Sequence, residues 1–494
     1  MMVLNPFLRP YQREQVESVV TNRKAGHNRL VVGSAVGTGK SVTIGELCRL
    51  GRKPLVIAPN LNLLWQMHSG LAKYLDEDID IEQGSRKVSN SGMHRSRVVL
   101  ASRASLLSND RYKKFPDRTV ILRDECHLAN TEKQKQIDEW FESNGATVVG
   151  LTATPFKADG SRMDYWNDPC WYRSLPDFIR DGWLARIKVT HIEPKEFDWT
   201  FFDENEFTEN NIDTLMSEES TSQEIVNAVL QLSKGQQCAV YCAGRKSMWR
   251  TREVFERFGL KVSCVWGTQP IEDRLINMEA FKTGATRVIL NVGVLAYGWD
   301  YPELRYIFSA APTRSLTTIE QRLGRLTRTL PGVLDKDMNQ EERLAAIANS
   351  EKPFGHFYDL TTTMSGFHLA SAVEVFDRMC RGDEERKKRI VKNLGDDGDI
   401  IDTVEETAKD IEQEQRAAEE RRKAMLGIHF DKHDLNIETA KEEKVRGWRM
   451  FYGPFRGKLM REVPTGVLRS HLRKSKPGQA YTKALATEIQ RRGA

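Results

Sequence analysis

The chain has 494 residues, 39% hydrophobic and 29% charged, a size that exceeds one hydrophobic core and suits two ordinary domains with extensions. No run approaches the roughly 18 apolar residues that span a bilayer, and no basic-then-apolar leader opens the chain, so a cytoplasmic protein is expected, in the host cytoplasm if phage-encoded. Net charge is +5, but residues 446–494 hold 12 Lys or Arg against 2 Asp or Glu, which directs a polyanion to the C-terminal end. The seven cysteines are scattered without a Cys-x-x-Cys pair, which favours reduced core thiols over disulfides or a zinc site.

In chain order, apolar runs at 30–33, 55–58, 98–101, 120–122 and 148–151 alternate with helical patterns and predict one parallel α/β domain over 1–196. After the first run comes Ser34-Ala35-Val36-Gly37-Thr38-Gly39-Lys40-Ser41, followed by a helical pattern. This is the strand, loop, helix context of a phosphate cradle. Gly37, Thr38 and Gly39 turn backbone N–H groups toward phosphate oxygens, Lys40 reaches the β and γ phosphates, and the Ser41 hydroxyl is placed for Mg²⁺. The fourth run leads into Asp124-Glu125-Cys126-His127, at the carboxyl edge where doubly wound sheets bind ligands. There Asp124 suits a metal ion and Glu125 suits activation of the water that attacks the γ phosphate.

Residues 197–222 mix acidic residues with Trp199, Phe201, Phe202 and Phe207 and suggest an inter-domain segment. Runs at 238–242, 261–265, 287–291, 306–309 and 356–360 predict a second parallel α/β domain over 223–362, with a surface excursion and short helix at 331–353. Within it, Gln321-Arg322-Leu323-Gly324-Arg325-Leu326-Thr327-Arg328 places Gln321, Arg325 and Arg328 on one face of a helix. Two guanidiniums aimed at one locus suit the γ phosphate in its transition state. Residues 363–440 read as a charged helical arm, a solvated helix being favoured over a dimerising coiled coil. Residues 441–494 read as a basic, aromatic module.

With these segments in view the chain resembles superfamily 2 helicases and translocases of the DEAD/DEAH-like kind, and within them the RadD-like and UvsW-like bacterial and phage branch, over residues 7 to about 362. The resemblance implies two tandem RecA-like domains, ATP and Mg²⁺. Phe7-Leu8-Arg9-Pro10-Tyr11-Gln12 is similar to the adenine-reading motif, which implies Gln12 and Arg9 at the base. Ala58-Pro59-Asn60 and Ala101-Ser102-Arg103 are similar to motifs that touch the nucleic-acid backbone, which implies Asn60, Ser102 and Arg103 there. Thr152-Ala153-Thr154-Pro155 resembles the motif that couples hydrolysis to domain movement, and Gly298-Trp299-Asp300 the one that reaches the nucleotide sugar through Asp300. Ser34 departs from the first glycine of the strict phosphate-loop pattern, and the zinc-binding cysteines of RadD-like proteins have no counterpart.

These motifs imply an ATP-dependent helicase or translocase on branched or partly single-stranded DNA. An RNA helicase and an ATP-switched loader or scaffold are the competing readings. In the tail, Gly447-Trp448-Arg449-Met450-Phe451-Tyr452-Gly453-Pro454-Phe455-Arg456-Gly457-Lys458 interleaves aromatic and basic residues. The aromatics suit a small core, while Arg449, Arg456 and Lys458 suit phosphates. Deleting 446–494 is expected to remove roughly three to five phosphate contacts, flattening the log–log salt dependence of nucleic-acid binding by about 0.9 per contact. An unchanged slope in a filter-binding titration would remove the tail from the binding surface.

Overall fold

In the computed structural model, all ten apolar runs become strands, and four more strands join them. The described residues are 3–89, 96–128, 131–155, 163, 165–166, 169–192, 208–295, 299–361, 369–377, 383–395, 398–425, 459–474, 485–486 and 488–490. The strands are β1 (Arg29–Ser34), β2 (Pro54–Ala58), β3 (Ile79–Glu82), β4 (Val98–Ser102), β5 (Val120–Asp124), β6 (Thr147–Thr152) and β7 (Pro169–Arg173), then β8 (Arg186–His191), β9 (Cys238–Cys242), β10 (Val262–Trp266), β11 (Val288–Val292), β12 (Tyr306–Ala310), β13 (Phe354–Asp359) and β14 (Gly398–Asp399). They form two seven-stranded sheets, β3-β4-β2-β5-β6-β1-β7 and β10-β11-β9-β12-β13-β8-β14. Pairing is parallel throughout except for β14 on β8. Each sheet is the core of a RecA-like lobe.

Continuous apolar runs become inner strands because both faces of a parallel sheet are covered. In the first sheet, Val32, Val56, Leu100 and Leu122 face one apolar cluster, and their neighbours Val31, Leu55, Val99 and Ile121 face another. Strand order puts β6 between β1 and β5, with Gly33 beside Thr152 and Asp124 beside Leu151. The loops after these three strands therefore open at one carboxyl edge.

The lobe boundaries differ from those expected. β8 pairs with β13 from Arg186 beside Phe354 to His191 beside Asp359, so the chain changes sheet before 186 and not at 196. The cause is burial of Ile187 and Val189 among second-lobe residues. Helices Glu209–Leu215 and Glu219–Leu232 bury Ile212, Met216 and Val226 against the second sheet, within the expected inter-domain segment and just beyond it. Trp199, Phe201, Phe202 and Phe207 lie outside the described residues. Helices Ala372–Phe376 and Glu384–Leu394, with β14, also belong to the second lobe and not to a solvated arm, because Val373, Phe376, Ile390, Leu394 and Ile400 enter its core.

That core also takes in Tyr11 and Ala35 of the first lobe, with Phe178, Trp183 and Leu184 at the crossing. The two lobes thus share one apolar seam. By contact density the chain divides into residues 1–408, which hold both lobes, and residues 409–494. Within the latter, Met460, Val463, Leu468, Leu485 and Ile489 pack together beside helix Thr465–Lys474. Trp448, Phe451 and Phe455 lie outside the described residues. Among the described residues no helix is long and apolar enough to cross a membrane.

Ile390 is fully buried. Ile390→Ala is expected to cost about 2–5 kcal/mol of stability, read as a lower denaturant midpoint. A loss under about 0.5 kcal/mol would mean that helix Glu384–Leu394 is the solvated arm its composition suggests.

Candidate nucleotide site

β1 ends at Ser34 and helix Lys40–Leu50 begins after a short loop. Gly37 (φ 85°) and Gly39 (φ 79°) hold left-handed backbone that a side chain would strain. The Lys40 ammonium donates to the carbonyls of Ser34 (3.2 Å) and Ala35 (3.5 Å). Ser34 has a defined task in the first glycine's place. Its hydroxyl lies 2.7 Å from Thr38 Oγ1 and accepts from Gln15 Nε2 at 3.0 Å, while Thr38 Oγ1 donates to the Ala35 carbonyl at 2.8 Å. Gln15 in turn accepts from Thr43 at 2.7 Å. This buried network braces the loop from behind, and no motif signalled Gln15.

The entry helix Pro10–Lys24 reaches the same loop. Tyr11 Oη donates to the Thr38 carbonyl at 2.8 Å, and Gln12 Nε2 points at the carbonyls of Thr38 (3.3 Å) and Gly39 (3.5 Å). Gln12 Oε1 accepts from the Arg9 backbone N–H at 3.0 Å. Gln12 therefore tethers the helix to the phosphate loop, whereas Arg9 lines the cleft and lies over the Trp183 ring, 5.4 Å from its centroid. Tyr11 is a further loop contact that the sequence reading did not single out.

Asp124 closes β5, and Glu125 takes a left-handed turn at φ 47° that directs it along the sheet edge. Burial pushes the Asp124 carboxyl up to about 7, with the Glu125 charge adding to the shift and Lys40 opposing it. Glu125 Oε2 is buried, makes no hydrogen bond among the described residues, and lies 3.4 Å from His127 Nδ1. The same His127 nitrogen is 2.8 Å from Thr152 Oγ1, which accepts the Thr154 N–H at 3.1 Å. Burial holds the imidazole pKa below its ordinary range, against the pull of Glu125. Two crowded carboxylates beside an ammonium and a hydroxyl make an oxygen-rich set that suits a hydrated divalent cation and a reacting water. These residues fit ATP and Mg²⁺.

The second wall is helix Leu316–Leu326 and the chain that leaves it. Arg325 and Arg328 donate to one acceptor, the Trp299 carbonyl, at 2.5 and 2.7 Å, and Arg328 also pairs with Asp300 at 2.6 Å. Arg328 does not share the helical face expected of it, because the helix ends at Leu326 with Thr327 as its cap. The non-helical exit carries it to the cleft. Burial lowers the pKa of both guanidiniums, that of Arg328 to about 10, which leaves Arg328 cationic at neutral pH. Gln321 departs from expectation. It is 2% exposed, its amide nitrogen makes no hydrogen bond among the described residues, and it is absent from the cleft lining. Arg322 is structural, bonded to Ser309 Oγ and the Ala311 carbonyl, both at 2.8 Å.

Lys40, Ser41, Asp124 and Glu125 from one lobe, and Asp300, Arg325 and Arg328 from the other, line one cleft of about 390 Å³. Its walls touch at two points, each with a glycine on one side and a side chain on the other. A Cβ on Gly324 would fall 2.4 Å from Val36 Cβ, and one on Gly37 would lie 3.2 Å from Arg328 Cγ.

The expected nucleic-acid residues fare differently. Asn60 Oδ1 accepts from Leu63 N and caps helix Leu61–Leu75. Ser102 caps helix Arg103–Leu107 and is 3% exposed, so its side chain has no open face for a strand. Arg103 donates to the Leu128 carbonyl at 2.9 Å, beside the acidic pair. Arg449, Arg456 and Lys458 lie outside the described residues.

Two RecA-like lobes that bring a phosphate loop, an acidic pair and an arginine pair into one cleft define a helicase-type nucleotide fold. Residues 5–157 match the family described as "Type III restriction enzyme, res subunit", and residues 221–329 match "Helicase conserved C-terminal domain". The chain belongs to the superfamily 2 DEAD/DEAH-like helicases. It is similar to IRC3 of Saccharomyces cerevisiae, named as an ATP-dependent helicase, at 25% identity over 65% of this chain and 49% of that protein. Its similarity to the corresponding irc3 protein of Schizosaccharomyces pombe is 26% over 66% and 56%. The chain thus spans about half the length of these curated relatives. Its fold is similar to a fragment assigned to the HsdR subunit of a type I restriction enzyme from Vibrio vulnificus, with TM-score 0.54 and 20% identity over 74% of this chain and 66% of that one.

Gly324→Ala is expected to cost about 1–3 kcal/mol against the closed seam, lowering turnover roughly tenfold with nucleotide affinity nearly unchanged. Val36→Gly in the same chain should restore turnover, because it removes the atom that the new methyl meets. A Gly324→Ala protein with full turnover would show that the close approach is dispensable.

Proposed function

We propose that the chain is an ATP-dependent DNA helicase or translocase acting on branched or partly single-stranded DNA, with hydrolysis shared between its two lobes. The convergence of Lys40, Asp124 and Glu125 with Arg325 and Arg328 in one cleft carries this reading. Lys40 and the loop N–H groups would bind the β and γ phosphates, and Ser41 and Asp124 would hold Mg²⁺. Mg²⁺, when bound, neutralises charge on the phosphates. The Glu125 carboxylate, which lines the cleft, orients the attacking water and takes its proton. Arg325 and Arg328 exchange the Trp299 carbonyl and Asp300 for γ-phosphate oxygens, and return to them when that charge is lost.

His127 bridges Glu125 and Thr152, so the state of the catalytic carboxylate reaches Thr154 and the loop beyond β6. In this reading that relay couples the cleft to strand grip. Arg9 contacts the base end, with Gln12 and Tyr11 passing its occupancy to the phosphate loop. The DNA assignment draws on the likeness of Thr152-Ala153-Thr154-Pro155 and Ala58-Pro59-Asn60 to DNA-acting relatives, and on the restriction-enzyme family matched by the first lobe.

ATP turnover measured with single-stranded DNA, duplex, forks, junctions and RNA tests this. Forks or single strands should stimulate most. Stimulation by RNA alone would replace the DNA assignment, since 2′-hydroxyl contacts separate the two, and no stimulation by any nucleic acid would favour a switch or loader. Glu125→Gln should lower kcat about 10²–10⁴-fold and Arg328→Ala about 10³-fold, each retaining nucleotide binding. Full turnover in either variant would remove that residue from the site.

A further inference from the structure

Lys352 lies just before β13, inside the segment whose composition reads as a surface excursion, yet it is 1% exposed. Its ammonium donates to two backbone carbonyls, those of Pro302 at 2.6 Å and Arg328 at 2.9 Å. Both acceptors belong to the second wall of the cleft. Arg328 carries a guanidinium of the converging pair, and Pro302 lines the cleft two residues after Asp300. Lys352 therefore joins, from behind, the two segments whose side chains meet in the Arg328–Asp300 ion pair.

The need for such a brace follows from where the helix stops. Arg328 lies past the cap of helix Leu316–Leu326, so its carbonyl accepts no helical hydrogen bond. The chain there is held by Ala185 N–H on the Thr327 carbonyl at 2.7 Å and by Lys352 on the Arg328 carbonyl. The charges that face Lys352 are Arg328, Arg305 and Glu303. A buried ammonium beside two guanidiniums is costly to desolvate, and the two carbonyl bonds it makes offset that cost at the Arg328 and Pro302 backbone. Burial, then Arg328 and Arg305, push its pKa down to about 7, against Glu303.

We propose that Lys352 is a positioning residue for ATP turnover, a clamp on the Arg328 and Pro302 carbonyls that sets the Arg328 guanidinium against the phosphate loop. The proposal rests on the reading of the cleft as an ATPase site. Lys352 acts through Arg328 and touches no reacting atom. The protonated form makes charge-assisted bonds about twice as strong as those of a neutral amine, so the clamp slackens as pH rises through neutrality.

The test compares the wild-type protein with Lys352→Met, Lys352→Gln, Arg328→Ala and the Lys352→Met/Arg328→Ala double variant. Turnover, affinity for a non-hydrolysable ATP analogue, and thermal unfolding are measured for each. Lys352→Met should lower kcat about tenfold, the value of one charge-assisted hydrogen bond, with analogue affinity nearly unchanged and a folded chain. Lys352→Gln, which keeps neutral donors, should fall between and carries the test should the methionine variant not fold. The double variant should be no slower than Arg328→Ala alone, and the ratio of Lys352→Met kcat to wild-type kcat should rise from pH 6.5 to 8, a ratio in which the Asp124 titration common to both cancels. Unchanged kcat in a folded Lys352 variant, or losses that multiply in the double variant, would overturn the clamp and leave the ATPase reading standing. Absence of turnover in the wild-type protein would sink both.

Discussion

The whole arrangement depends on two glycines that let side chains of the opposite lobe come close across the seam. Gly324, on the helix that carries Arg325, lies so close to Val36 that one added carbon would fall 2.4 Å from its Cβ, and a carbon added to Gly37 would lie 3.2 Å from Arg328 Cγ. Without a side chain on either glycine the arginine-bearing segment can rest directly on the phosphate loop. That nearness brings guanidiniums of one lobe within reach of a locus that the other defines with an ammonium and two carboxylates.

Around this contact the charges are arranged for exchange. Asp124 and Glu125 crowd each other in a buried place, and one Glu125 oxygen makes no hydrogen bond among the described residues. Across the cleft, two guanidiniums share one carbonyl oxygen, and Arg328 adds a carboxylate that is itself largely exposed. Such contacts satisfy the cations without committing them, because a phosphate oxygen competes well against a carbonyl. The neighbouring groups are tightly satisfied instead. Gln15, Ser34, Thr38 and Thr43 form a buried network behind the loop, and Arg322 is fixed to Ser309 and Ala311. Rigid supports thus surround exchangeable charges, as preorganised sites require.

The readable parts of the fold were those in which local pattern and tertiary role coincide. β2, β4, β9 and β12 are buried along their whole length, and a strand covered on both faces has to be apolar throughout. β3, β7 and β14 were not readable, since an edge strand shows its partner only one side and tolerates residues such as Asp80, Arg173 and Asp399. The membership of β8 was hidden for another reason. Alternation at Ile187 and Val189 announces a half-buried strand and says nothing about which sheet receives it. In the site, glycine and charge spacing disclosed Lys40, Asp124, Glu125 and Arg325. Helical periodicity misplaced Arg328 and overvalued Gln321, because a period cannot show where a helix ends.

Residue order along the chain set the chemistry available to this protein. A glycine turn before a lysine, an acidic pair after a strand and an arginine run in a second α/β unit are short-range patterns, each with its own mechanical meaning. Tertiary structure alone decided which groups meet. Gln15 braces the loop, His127 joins Glu125 to Thr152, Ser102 turns inward as a cap, and Lys352 reaches the Arg328 carbonyl from 24 residues away. These pairings depend on strand order and on the approach of two lobes, long-range properties that no local periodicity encodes.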